Sequence, residues 1–135
     1  MRTSLYQTVV PLPAFDIELR ATGDYDGITV DRGYKDNFFR TSMFIIHAGT
    51  ITDGTITFVM EDSDNGSSWN TADAKYMQGT LPTILAADAD KVYSVGYLGP
   101  ARYVRLTASV ENGATGGTWG AVCINSDGRR EPVTH

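Results

Sequence analysis

The chain has 135 residues and a mass of 14.7 kDa, a size that predicts one domain with a core of its own. Hydrophobic residues make up 41% and charged residues 20% of it, a balance that excludes wholesale disorder. The net charge of -5 argues against a nucleic-acid or anionic-membrane partner, because both attract a concentrated basic surface and the only basic cluster is Arg129-Arg130.

The N-terminal residues 1–13 are predicted to form an arm or an edge strand, because Pro11 and Pro13 separate them from the rest. Residues 14–127 are predicted to form the folded domain, and residues 128–135 a C-terminal tail. The first ten residues contain no apolar signal core, so we expect synthesis in a cytoplasm without export by a cleaved signal.

Strand signals recur along the whole chain, and no segment of useful length has a helical period. The predicted strands are 14–21, 38–48, 55–61, 91–98, 102–110 and 117–124. In the first, Phe15, Ile17 and Leu19 are expected to share one side. The apolar end of 38–48 is typical of a strand buried on both faces. Residues 72–90 are irregular, and we expect a long excursion there with a short helical turn.

Turn residues separate these segments. Asp53-Gly54, Asp64-Asn65-Gly66, Gly99-Pro100 and Asn112-Gly113 each stand between two predicted strands. Seven to eight strands without intervening helices predict an all-β protein, an antiparallel two-sheet β-sandwich of the jelly-roll type.

The acidic stretch 61-EDSDNGSSW-69 invites comparison with a calcium loop. Counting from Asp62 places Gly66 at position 5, where a ligand is needed, and the shorter acid Asp73 at position 12. The spacing therefore favours a tight turn in which Asp64 and Asn65 tolerate left-handed backbone.

Catalytic patterns are not found in the sequence. Most of its acids lie in turn-like clusters, its two histidines are His47 and His135, and it has no nucleophile elbow or phosphate loop. We therefore predict no enzyme activity, no catalytic residue, no metal and no cofactor. The single cysteine, Cys123, lies in an apolar run and is predicted to be a buried, inert thiol.

The two tryptophans are expected to pack in the core or in an interface. Trp69 follows the acidic turn and is predicted to close one end of the core, and Trp119 lies in the last predicted strand. Stacking of either ring on a sugar is the alternative.

The order of four motifs carries a resemblance. These are 53-DGTITFVMED-62, 63-SDNGSSW-69, 94-SVGYLGPARYVRLTASV-110 and 118-TWGAVCIN-125. Together they resemble a family of small virion structural proteins of tailed bacteriophages, over roughly residues 28–125. The resemblance implies a β-sandwich assembled on the capsid as a decoration (cement) protein or another small head component. Asn65 stands where that family often has a second Asp, which argues against an acidic metal cluster.

A second resemblance is partial. The segments 63-SDNGSSW-69 and 101-ARYVRL-106 are similar to the framework of discoidin-type carbohydrate- or lipid-binding domains. No ligand loop of that family is identifiable in the chain, and it lacks the pair of cysteines those secreted domains often use.

Two sets of residues are singled out for a structural role. Predicted turn and framework residues are Asp53, Gly54, Asp64, Asn65, Gly66, Trp69, Gly96, Tyr97, Gly99, Arg102, Tyr103 and Arg105. Arg105 is expected on an outer face, paired with an acid of a neighbouring strand or with another subunit. Predicted interface residues are Leu5, Tyr6, Val9, Leu12, Arg129 and Arg130.

The functional prediction is a capsid decoration protein that stabilises a phage head by binding across subunits of the major capsid protein. It is made in the host bacterial cytoplasm, resides on the capsid surface of the virion, and forms a homo-oligomer such as a trimer. Nucleic acid and membrane are not expected partners. The alternatives are a glycan-binding module and a small neck or tail component.

Overall fold

A computed structural model describes residues 4–130 and 132–135. Within these ranges the chain forms two antiparallel sheets packed face to face, which confirms the predicted all-β sandwich. It has eleven strands rather than seven or eight, because two-residue strands leave no period in a sequence. The strands are β1 Val9–Arg20, β2 Gly23–Asp26, β3 Val30–Asp31, β4 Phe39–Ile51, β5 Thr55–Ser63, β6 Asn70–Thr71, β7 Met77–Gln78, β8 Thr83–Ile84, β9 Val92–Tyr97, β10 Tyr103–Glu111 and β11 Gly117–Gly128.

Helical structure is confined to short turns. One α-helix, α1, spans Leu5–Thr8, and 3₁₀ turns span Tyr34–Asp36, Ala74–Tyr76 and Ala86–Asp88. The last two lie in the irregular segment 72–90, where a short helical turn is expected. Of the helices in the described part of the chain, none is long and apolar enough to span a membrane.

The long strands occupy the middle of each sheet. The five-stranded sheet has the order β1-β11-β4-β9-β7. The six-stranded sheet has the order β2-β10-β5-β6, with β3 also beside β10 and β8 beside β5. The inward residues of β4, β5, β10 and β11 fill the space between the sheets, as their alternating patterns predict.

Trp119 lies at the centre of this core and is fully buried. Its ring meets Phe15 edge-on at 4.7 Å and Phe58 at 5.1 Å between centroids. Aromatic rings in this arrangement stabilise a core beyond their buried area. Trp119 therefore joins side chains of both sheets and is not available to a ligand.

The predicted faces of β1 are wrong beyond Phe15. Ile17 and Leu19 are 80% and 60% exposed, whereas Arg20 is buried. The pairing of β1 with β11 shifts register between Pro13 and Phe15 and again between Phe15 and Glu18. Each bulge adds a residue to one strand, so the side chains after it point to the opposite face.

The prediction that 38–48 is buried on both faces is also wrong. In β4 the burial alternates: Phe44 and Ile46 are fully buried, Ile45 is half-buried and Met43 is 40% exposed. One side of the five-stranded sheet therefore covers the core, and the other side presents apolar residues outward.

The terminal segments lie together against the sandwich. Residues 9–13 belong to β1, so the strand runs through the predicted boundary at residue 13. The N–H of Val133 donates to the carbonyl of Gln7 at 2.9 Å, and the Val133 side chain is buried beside Val10 and Phe39. Residues 1–3 of the predicted arm and residue 131 of the predicted tail lie outside the described residues.

Candidate interaction surface

The outward surface of the five-stranded sheet is uncharged over most of its extent, with the exposed Asp16 on its edge strand β1. Its residues alternate with buried ones along β1, β4, β7, β9 and β11, and the register aligns them in rows across the sheet. We call the following residues the uncharged face: Val9, Pro11, Pro13, Thr41, Met43, Ile45, His47, Gln78, Val92, Ser94, Gly96, Gly120, Val122, Ile124 and Ser126. None of these fifteen is Asp, Glu, Lys or Arg.

Apolar side chains occupy the middle of the uncharged face. Met43 lies opposite Ile124, and Ile45 lies opposite Val122. Met43 and Val122 are 40% and 42% exposed, and Val92 is 59% exposed. Together they expose apolar surface on the order of a few hundred Å², the size of the largest patch on a typical monomer, which is often functional.

Two hollows lie on the uncharged face. The first, of about 460 Å³, is lined by apolar residues such as Ile17, Ile45 and Val92, and by Asp16 on the edge strand β1. The second, of about 730 Å³, runs beside the exposed Leu5 of α1 and is lined by Gly96 and Ser94, which have small side chains or none. The surface therefore carries protruding apolar side chains next to depressions.

The outer surface of the six-stranded sheet is charged by contrast. Arg105 on β10 donates through Nε to Glu61 of β5 at 2.9 Å, and its Nη2 lies 3.9 Å from Asp26 of β2. Of the two partners expected for Arg105, the structure shows an acid of a neighbouring strand. The charges of Arg105 and Glu61 are therefore paired within the chain, while Asp26 stays largely exposed.

Trp69 is not at the end of the core, so that prediction is wrong. It is half-buried on the outer surface, where its ring centroid lies 4.3 Å from the Arg105 guanidinium. The chain re-enters the sheet at β6, its edge strand, and this places the preceding Trp69 outside the sandwich. A cation over an indole ring is a favourable pair.

The acidic turn is built by side-chain acceptors. Oδ1 of Asn65 accepts from the N–H groups of residues 67 and 68, and Oγ of Ser63 accepts from those of Asn65 and Gly66. Only Gly66 has a positive φ, at 76°, so the expectation that Asp64 and Asn65 adopt left-handed backbone is wrong. Asp64 is exposed. Asn65 acts through its side chain, as Asn does in Asx turns.

Asp53 and Gly54 connect two turns. Gly54 has a φ of 92°, which suits glycine. The Asp53 carboxylate accepts from the N–H of Thr115 at 3.2 Å and from that of Gly116 at 2.6 Å. The predicted hairpin residue therefore also fixes the loop that leads into β11.

The corner after β9 depends on Tyr97. Its side chain is fully buried, and its hydroxyl donates to Asp62 of β5 at 2.7 Å, which joins the two sheets. Burial raises the pKa of Tyr97 well above its usual value, and the hydrogen bond to Asp62 raises it further. A Cβ at Gly99 would lie 2.3 Å from the Tyr97 hydroxyl, so only glycine fits there. Gly96, one residue before Tyr97, lies in β9 and pairs with Met43 of β4.

Arg32 is the central residue that sequence reasoning missed. It is fully buried, and its guanidinium donates to the carbonyls of Gly99, Ala101 and Arg40. Burial lowers the pKa of Arg32. A lone arginine in 30-VDRG-33 carries no sequence signal of burial, because arginine is mostly exposed.

Tyr103 is the first residue of β10, and Arg102 immediately precedes it. Arg102 makes a two-pronged contact with Asp31, through Nε at 2.9 Å and Nη2 at 3.0 Å. This contact holds the pKa of Asp31 below its usual value. The Tyr103 ring lies under the turn at Gly66. Both residues therefore hold framework loops in place.

The predicted interface residues are only partly brought together. Leu5 and Tyr6 are 74% and 72% exposed on α1, and Val9 lies on the uncharged face. Leu12 points the other way and packs against the core. Arg129 and Arg130 are exposed after β11. The larger set on β4, β9 and β11 was not predicted, because the run 43-MFII-46 is continuously apolar and does not show which side is covered.

Residues of the types that bind metals lie apart in the described part of the chain. His47 is exposed on the uncharged face. Within residues 4–130 and 132–135, no three His, Cys, Asp or Glu side chains are grouped closely enough to hold a metal ion. Cys123 is buried as predicted, and burial raises the pKa of its thiol to about 12. A thiol in that state is unreactive at neutral pH.

Two solved structures share this fold. The PBSX exported protein XepA matches 100% of this chain at 17% identity, with a TM-score of 0.58. The SPBc2 prophage-derived protein YomS matches 88% of it at 16% identity, with a TM-score of 0.52. The chain spans 42% of the length of XepA and 93% of that of YomS. At such identities the likeness establishes the fold.

More distant comparisons add nothing about function. A third match, to the xylanase modules of Clostridium thermocellum, has a TM-score of 0.37 and carries no argument. No protein-family model and no curated protein matches the chain.

Proposed function

We propose that the chain is a structural protein of a phage particle that works by contact and not by catalysis. The observation that carries the proposal is the uncharged face, which is large, apolar at its centre and without a covering element in the described structure. Binding surfaces of this kind are depleted of charge at their centre and bury apolar side chains. The phage origin is supported by the fold shared with YomS, which is named as a prophage-derived protein.

The finer proposal is a capsid decoration protein. A decoration protein acts by burying surface across neighbouring capsid subunits, and its gain in stability comes from that contact. The chain has a net charge of -5, and its charged side chains lie outside the uncharged face. Exposed acids such as Asp24 and Asp26 on the six-stranded sheet suit a partner surface with basic residues.

The test is the location of the protein in the virion. Cryo-electron microscopy of intact particles should show the sandwich on the head, at sites between capsid subunits. Particles that lack the protein should lose DNA at a lower temperature than complete ones. Finding the protein in the neck or tail would overturn the decoration role, and its absence from particles would overturn the structural role.

Removal of residues 1–12 is not a suitable test of binding. It would delete the start of β1, whose residues 9–12 pair with β11, so binding and folding would change together. Point substitutions on exposed side chains separate the two.

A second candidate function is glycan binding, which the position of Trp69 favours. Its ring is half-buried on the outer surface against Arg105, whose partner Glu61 lines a shallow groove. Aromatic faces beside hydrogen-bonding side chains suit sugars. A glycan array with the wild type and Trp69→Ala would test it: loss of a signal in the folded variant supports the candidate, and no signal from the wild type rejects it.

A further inference from the structure

We infer that the uncharged face is a self-association surface on which two copies of the chain meet face to face about a two-fold axis. Neither sheet-to-sheet contact between copies nor this set of residues follows from the decoration role. The inference rests on area, charge and relief, all of which belong to the same surface.

The area of the uncharged face is close to what a stable dimer needs. Strands lie about 4.8 Å apart and rise about 3.3 Å per residue, so four strands over the seven residues of β4 from Thr41 to His47 cover on the order of 400 Å² in projection, and the two-residue β7 adds little. The accessible area of a side-chain-covered surface exceeds its projection. The uncharged face therefore approaches the roughly 800 Å² per partner of a standard interface.

Charge favours a second copy as the occupant. Two chains of net charge -5 repel each other wherever their acids meet. Asp16 lies at the β1 edge of the uncharged face, and over the remainder two copies can approach without pairing like charges. Interfaces between identical subunits are more apolar and poorer in charge than those of transient complexes, which use charge to guide encounter.

The uncharged face has both protrusions and hollows, so the faces of two copies can fit together. In a two-fold contact the same surface supplies both the protrusions and the hollows. Ile17 and Val92 stand 80% and 59% exposed beside the first hollow, and the second hollow is lined by Gly96 and Ser94. The protruding side chains of one copy thus have depressions to enter on the other.

Edge-to-edge pairing is a poorer route to a dimer. The exposed edge strand β1 contains Pro11 and Pro13, which have no N–H to donate, and two register shifts. Prolines and bulges are devices that block an added strand. The edge of the five-stranded sheet at β1 is therefore protected, whereas its face is open.

The inference deepens the proposed function by giving a decoration protein its oligomeric unit, but it can be tested without any phage particle. The experiment is analytical ultracentrifugation of the purified full chain from about 1 to 200 μM. We expect the wild type to sediment as a species of twice the 14.7 kDa chain mass. The fraction of monomer should rise as the protein is diluted. A wild type that is monomeric at every concentration would overturn the inference.

Matched charge substitutions locate the contact. Val122→Lys places a charge in the middle of the uncharged face, and Val59→Lys places one on the six-stranded sheet, where Val59 is also 42% exposed. We expect Val122→Lys to weaken dimerisation at least tenfold and Val59→Lys to leave it unchanged. Equal dimerisation of all three proteins, or a loss limited to Val59→Lys, would refute the placement.

A second variant separates association from folding. Ile17→Lys changes a side chain that is already 80% exposed, so the melting temperature of the monomer should not fall. It should also weaken the dimer tenfold or more, because the ammonium group would enter the apolar contact. If Ile17→Lys and Val122→Lys both keep the wild-type mass, the face is not the interface. Absence of the protein from virions would leave this result unaffected.

Discussion

Replacement of Arg32 tests whether a buried cation holds the corner between β9 and β10 against the start of β4. Arg32 has no exposed surface, and its guanidinium donates to three backbone carbonyls, at 2.8 Å in the case of Ala101. Met has a similar length and no donor, so Arg32→Met leaves these acceptors buried without partners. Each such group costs about 1–3 kcal/mol.

The net effect on stability is smaller than the sum of these costs. Nε of Arg32 has no partner, and removing the cation also removes the cost of its desolvation. We therefore expect Arg32→Met to lower the free energy of unfolding by about 3 kcal/mol, a large share of the 5–15 kcal/mol typical of a domain. With a urea m-value of about 2 kcal/mol/M, the midpoint falls by roughly 1.5 M.

The assay is equilibrium urea unfolding followed by tryptophan fluorescence, with Arg40→Met as the control. Arg40 is exposed and its ion pair with Asp127 spans 3.5 Å, so the control should change stability by less than about 1 kcal/mol. An Arg32→Met protein as stable as the control would refute the reasoning. It would mean that the three carbonyls find water or other donors when the guanidinium is removed.

Three further predictions concern single side chains. The pKa of Cys123 is about 12 in the folded chain and near 9 in the unfolded one, so unfolded chains lose this proton first as pH rises. Stability should fall between pH 9 and pH 12, by at most about 4 kcal/mol, and Cys123→Ala should reduce that slope in urea titrations at several pH values. Asp53→Ala should cost about 1–2 kcal/mol, because the N–H groups of Thr115 and Gly116 lose their acceptor; no change in the urea midpoint would contradict this. Gly66→Ala should cost about 1 kcal/mol at a φ of 76°, whereas a melting temperature above that of the wild type would show that the turn relaxes.

The strands and turns were predictable because their signals are local. In 102–110 the alternation of Val104, Leu106, Ala108 and Val110 matches the buried positions of β10. A period of two in side-chain burial follows from strand geometry alone. Asp53-Gly54 and Asn65-Gly66 stand at turns for the same reason, since glycine adopts positive φ without strain.

The candidate surface was not predictable to the same extent. The run at 43–46 is apolar on both sides of β4, and a sequence cannot tell whether a second layer covers the outer side. The outward set also comes from strands distant in the chain, as with Val122 opposite Ile45. Only pairing across strands shows that their uncharged positions form one surface.

By itself the sequence determined the all-β class, the positions of the main strands and turns, and the burial of Cys123, because each follows from residue order within a few positions. Tertiary structure decided the rest. Bulges in β1 turned Ile17 outward and Arg20 inward. Arg32 became buried against the corner between β9 and β10. The second sheet covered one side of β4 and left the other open. These outcomes depend on contacts between distant segments, which a local pattern does not encode.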